Sequence, residues 1–95
     1  MSEVIDAAVA ALQAKMDGGF DGTAKFVIEG EGAIMIDGDG VRAADEDAEV
    51  TLTADAETFK DILSGDLNAT SAFMTGKLTV DGDMGKAMQL GSVLA

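Results

Sequence analysis

A chain without histidine, cysteine, tyrosine or tryptophan has few groups with which to do chemistry. Carboxylates, lysines, serines and threonines remain, and none of these is a strong base or nucleophile near neutral pH without a partner that shifts it. The aspartates are scattered, and no pair stands out by spacing as an acid and its base. Asp37-Gly38-Asp39-Gly40 opens like a calcium loop, but position five is Val41 and no glutamate stands at position twelve. Asp-Gly steps of this kind are common hairpin turns. The glycines nowhere form a phosphate-cradling loop ahead of a helix, and without cysteine there is no disulfide and no thiolate metal site. The expectation is a protein that is not an enzyme, needs no cofactor or metal, and works through apolar surface.

The charge balance narrows the partners. Eighteen acidic residues against six basic give a net charge of -12. Such a surface repels phosphate backbones and anionic headgroups, so no nucleic-acid partner is expected. Asp45, Glu46, Asp47 and Glu49 read as a solvated loop. Ninety-five residues at 47% hydrophobic content suit one domain over residues 1–95, since a chain of this size buries about two thirds of its unfolded surface. The longest apolar run, Ala7 to Leu12, is far short of the roughly 20 residues that span a bilayer. No basic segment precedes it as in a secretory signal, and Ser-Val-Leu-Ala differs from the peroxisomal Ser-Lys-Leu address. These features predict a cytoplasmic protein without stable membrane insertion, as a monomer or weak homodimer.

The elements emerge from periodicity. Ser2 can cap a helix to about Met16 with Val4, Ile5, Ala8, Val9, Leu12 and Met16 on one side, ended by Asp17, Gly18 and Gly19. From Thr23 the period changes to two. Phe26 and Ile28, then Ile34 and Ile36 across a Gly30–Gly32 turn, predict a hairpin, and Val41 to Ala43 a third strand. Val27 and Met35 point to the other face, which is therefore not wholly polar. Val50, Leu52 and Ala54 alternate with Thr51 and Thr53 as a fourth strand, and Leu78 to Asp81 gives a fifth. Asp55 caps a helix carrying Phe59, Ile62 and Leu63 that stops at Gly65. Asn68 caps a shorter one carrying Ala72, Phe73 and Met74, stopped at Gly76. In the last helix, at about 100° per residue, Met84, Ala87, Met88, Leu90, Gly91, Leu94 and Ala95 fall on one broad face, with Gln89 and Ser92 outside it. The sum is an α+β fold: a five-stranded antiparallel sheet with helices packed on one face.

Residues 72–90, AFMTGKLTVDGDMGKAMQL, resemble the closing segment of sterol carrier protein 2 domains. There a helix ending in Ala-Phe leads to Gly-Lys-Leu, a strand, a Gly-Asp or Gly-Asn turn and a last helix containing Met and Leu. A weaker resemblance extends over almost the whole chain in the same order of elements. One departure is Ala69, where the family often has proline. The resemblance implies a minimal stand-alone, bacterial-type member with an apolar tunnel between sheet and helices, binding or transferring a sterol, fatty acid, acyl-CoA or other lipid. It assigns the tunnel wall first to Phe73, Met74, Met84, Met88 and Leu94, and second to Ile34, Ile36, Phe59, Ile62 and Leu63. Lys77 and Lys86, on either side of the closing strand and its turn, are the cations expected near it. Methionine suits such a wall because its flexible thioether adapts to varied apolar shapes. With 4% aromatic residues, the lining selects by shape and chain length more than by stacking. The alternative function is a small interaction module or enzyme subunit whose apolar helix face meets a protein partner.

Overall fold

The computed structural model describes residues 3–16 and 20–94, apart from the side chains of Met16, Val93 and Leu94. The elements run α1 (Glu3–Met16), β1 (Ala24–Ile28), β2 (Gly32–Asp37), β3 (Gly40–Ala43), β4 (Val50–Ala54), α2 (Ala56–Ser64), α3 (Ala69–Met74), β5 (Thr79–Gly82) and α4 (Met84–Leu94). The cap at Ser2 and the stop at Asp17 to Gly19 lie outside the described residues.

One sheet orders the strands β3-β2-β1-β4-β5. Phe26 faces Ile34 across the first hairpin, and Ile36 faces Val41 across the second. Its inner face carries Phe26, Ile28, Ile34, Ile36, Val50 and Leu52, all buried, and α1 closes over β2 and β3 while α4 lies over β4, β1 and β5. The Phe26 and Phe59 rings meet edge to face with centroids 4.6 Å apart, which joins α2 to the centre of the sheet. Gln13 pins α1 to β3 by donating from Nε2 to the Val41 carbonyl at 2.8 Å.

The expectation of a wholly antiparallel sheet is corrected at one pairing. β1 and β4 run parallel, with Phe26 beside Leu52, so the sheet is mixed. Alternating side chains mark which face a residue occupies but not the direction of its neighbour. Direction is set here by the segment between β3 and β4, which crosses the outer face of the sheet rather than turning back. Lys25 Nζ meets Asp45 Oδ1 at 2.9 Å and Arg42 Nη2 meets Glu46 Oε1 at 3.0 Å, and both bases stand in the same cross-strand row as Met35. The acidic run thus lies over the outer face. Met35 is 1% exposed although it is outside the main core cluster. At the far end of the crossing, Glu49 and Thr23 exchange two hydrogen bonds, at 3.0 and 2.9 Å, that align the starts of β4 and β1.

Candidate functional site

The segment after β4 builds the site. Asn68 Oδ1 accepts from the Thr70 amide at 2.8 Å and the Ser71 amide at 3.4 Å, which satisfies two of the free donors at the start of α3. At the other end Gly76 adopts φ +80, and the Lys77 and Leu78 amides both donate to the Ala72 carbonyl. The short helix is therefore closed at both ends, and Ala72 and Leu78 are buried beneath it. β5 pairs with β4 so that Val80 faces Leu52. At Gly82, φ is +112, and a side-chain carbon there would collide with the main-chain oxygen of Glu49. Only glycine lets β5 pass this close. The Asp83 amide then donates to that same Glu49 oxygen at 2.9 Å, and Asp83 Oδ1 accepts from the Lys86 amide at 3.2 Å, starting α4.

These elements enclose a cavity of about 390 Å³. Leu52, Leu78 and Val80 form its floor; Ala69, Thr70, Phe73 and Met74 of α3 form one side, and Met84, Ala87, Met88, Gly91 and Ser92 of α4 the other. The two helices come close at Gly91, where an added side-chain carbon would lie 3.9 Å from Ala69 Cβ. The mouth is edged by side chains that remain in contact with water: Met74 at 79%, Met88 at 72%, Met84 at 47% and Phe73 at 43% exposure. No ionisable side chain stands among the described lining residues, and the polar side chains there are those of Thr70 and Ser92. Apart from Thr70 and Ser92, the side chains of the described lining are apolar. The arrangement can remove an apolar group from water.

Four of the residues expected in the wall, Phe73, Met74, Met84 and Met88, come together around this cavity. Leu94 ends α4, and its side chain lies outside the described residues. The structure does not bring the second group to the cavity. Ile34 and Ile36 sit on β2, separated from the β4–β5 edge by β1, while Phe59 and Ile62 fill the interface of α2 with the sheet, all of them buried. Leu63 is half-buried against the same core. Leu52 and Val80 join the lining unforeseen: they share one inward row, but that pairing spans a gap in sequence that periodicity does not bridge. Ser92 lines the cavity although the helical wheel puts it off the apolar face. Lys86 does not line the cavity and instead donates from Nζ to the Asp21 carbonyl at 2.7 Å. Farther off, Asp55 caps α2 by accepting from the Thr58 amide at 2.7 Å, and hydrogen bonds from Thr58 hold its carboxyl below the usual range. Among the described residues no helix is long and apolar enough to cross a membrane, and no cluster could hold a metal ion.

The architecture has known counterparts. Sterol carrier protein 2 from Aedes aegypti, whose solution structure holds palmitate, superposes with a TM-score of 0.79 at 24% identity over 100% of this chain and 97% of that one. Peroxisomal multifunctional enzyme A of Dictyostelium discoideum is 51% identical over 45 residues, covering 47% of this chain and 10% of that protein. Hydroxysteroid dehydrogenase-like protein 2 of Danio rerio is 46% identical over 48 residues, covering 50% of this chain and 12% of that protein. The matches therefore span only about a tenth of these longer relatives. The model of the SCP-2 sterol transfer family matches residues 5–95, nearly the full length, and the chain belongs to that family.

Proposed function

We propose that this chain is a non-catalytic lipid-binding module that shelters the apolar part of one lipid between α3, α4 and the β4–β5 edge. The observation that carries this reading is the cavity itself, whose volume of about 390 Å³ falls in the range of small-molecule sites and whose described lining has no ionisable group. The palmitate held by the Aedes aegypti protein supports a fatty acyl ligand. Burying ten methylenes at about 0.8 kcal/mol each gives roughly 8 kcal/mol before association costs of comparable size. Longer chains add further methylenes, and an affinity on the order of micromolar is the expectation the titration tests. The names of the longer relatives support a role in presenting a lipid to catalytic domains, alongside transfer or storage.

Titration with a fluorescent fatty acid tests the reading, and saturable one-to-one binding is the expected result. No binding at tens of micromolar, roughly tenfold above the expected midpoint, would count against it. A second reading rests on the exposure of Met74 and Met88, which suits a protein partner as well as a lipid. Native mass spectrometry separates the two: copurified lipid mass favours the carrier, and a lipid-free dimer favours the interaction module.

A further inference from the structure

The methionine side chains among the described residues divide into two environments. Met35 is sealed on the outer face of the sheet at 1% exposure, whereas Met74, Met84 and Met88 edge one cavity with their side chains open to solvent. Thioether sulfur is a two-electron reductant for peroxides, and its susceptibility depends on access. Cysteine, the usual competitor for peroxide, is absent from the chain. We propose that Met74, Met84 and Met88 form a peroxide-oxidation site that switches off apolar ligand binding.

In each step the sulfur lone pair attacks the outer oxygen of a hydroperoxide and the O–O bond breaks. Sulfur is oxidised by two electrons to the sulfoxide, the proton of the outer oxygen passes to the leaving oxygen, and the peroxide is reduced to water or an alcohol. The product carries a strong hydrogen-bond acceptor where the wall was apolar. Ligand binding then requires the S=O dipole to leave water, and the described lining supplies just two hydroxyl donors, Thr70 and Ser92, for three sulfoxides. Met35, at 1% exposure, is out of reach. The fold therefore persists while the cavity becomes polar, and dithiol-dependent methionine sulfoxide reductases can reverse the change.

The switch depends on the cavity being a lipid site, and the experiment keeps the two claims apart. The protein is treated with hydrogen peroxide, the added oxygen is located by peptide mass mapping, and palmitate binding and circular dichroism are measured before oxidation, after it, and after reductase treatment. Expected are oxygen on Met74, Met84 and Met88 ahead of Met35, an unchanged fold, a loss of affinity of roughly tenfold or more, and recovery on reduction. The variant Met74→Leu, Met84→Leu, Met88→Leu, compared with itself before and after peroxide, should show no peroxide-dependent change in palmitate affinity, because no thioether remains at the cavity. Equal oxidation of Met35, unchanged affinity in the oxidised protein, loss that accompanies unfolding, or equal loss in the leucine variant would each overturn the switch. Failure of the untreated protein to bind palmitate would overturn the lipid site and the switch together.

Discussion

At Met88 and Leu90, two positions apart on α4, the same helix has opposite surroundings: Met88 is mostly in water at the cavity mouth and Leu90 is fully buried. Met88→Asp leaves its charge hydrated, so circular dichroism and melting should stay near those of the parent while binding of an apolar probe weakens by about tenfold or more. Leu90→Ala should instead cost about 2–5 kcal/mol of stability, read from urea unfolding. If Met88→Asp unfolds the protein, Met88 is a core residue and does not belong to the cavity wall. Asp55 gives a pH dependence of defined sign. Its pKa in the folded chain is depressed below the ordinary aspartate value by hydrogen bonds from Thr58, so its contribution is present above that ordinary value and is lost as pH falls through the folded pKa. Asp55→Asn should flatten that part of the acid limb, which urea midpoints across about pH 2–5, an interval spanning the usual carboxylate range, would detect.

At the level of elements, α3 is the part most dependent on its ends, because six residues are too few to be stable alone. Removing its cap with Asn68→Ala should cost about 1 kcal/mol and weaken ligand binding as one wall of the cavity frays. Gly91 offers the opposite sign. An added side-chain carbon meets only Ala69, at ordinary contact distance, so Gly91→Ala should keep α4 folded, gaining helix propensity of about 0.5–1 kcal/mol while narrowing the cavity and weakening probe binding. Both caps and the stops at Gly65 and Gly76 are legible in the sequence, because a cap is a local contact between a side chain and amides two or three residues on. So are the strands, whose inward residues repeat every second position. The parallel pairing of β1 with β4 is not, since it joins strands more than twenty residues apart through a crossing segment whose path, marked by the Lys25–Asp45 ion pair, local periodicity does not encode. The same limit applies to the cavity. Phe73, Met74, Met84 and Met88 lie in one contiguous stretch that can be singled out as a unit, whereas periodicity does not reveal that the equally apolar Ile34, Ile36, Phe59 and Ile62 are consumed by the core.

On the scale of the whole molecule, the net charge of -12 acts on every charged ligand that approaches. The Debye length is near 30 Å at about 0.01 M salt and near 8 Å at about 0.15 M, so added salt should tighten binding of an anionic acyl-CoA and leave a sterol nearly unaffected. Tighter acyl-CoA binding at the lower salt would reveal a local cationic site that outweighs the global field. Entry of a lipid chain into the space between α3, α4 and the β4–β5 edge can be watched directly through the methionine methyl resonances in an NMR titration with palmitate. Met74, Met84 and Met88 line the cavity and Met35 lies on the opposite side of the sheet, so saturable shifts of those three are expected with Met35 unmoved. Saturable binding that shifts Met35 and leaves the three cavity methionines unchanged would contradict a lipid site at this position.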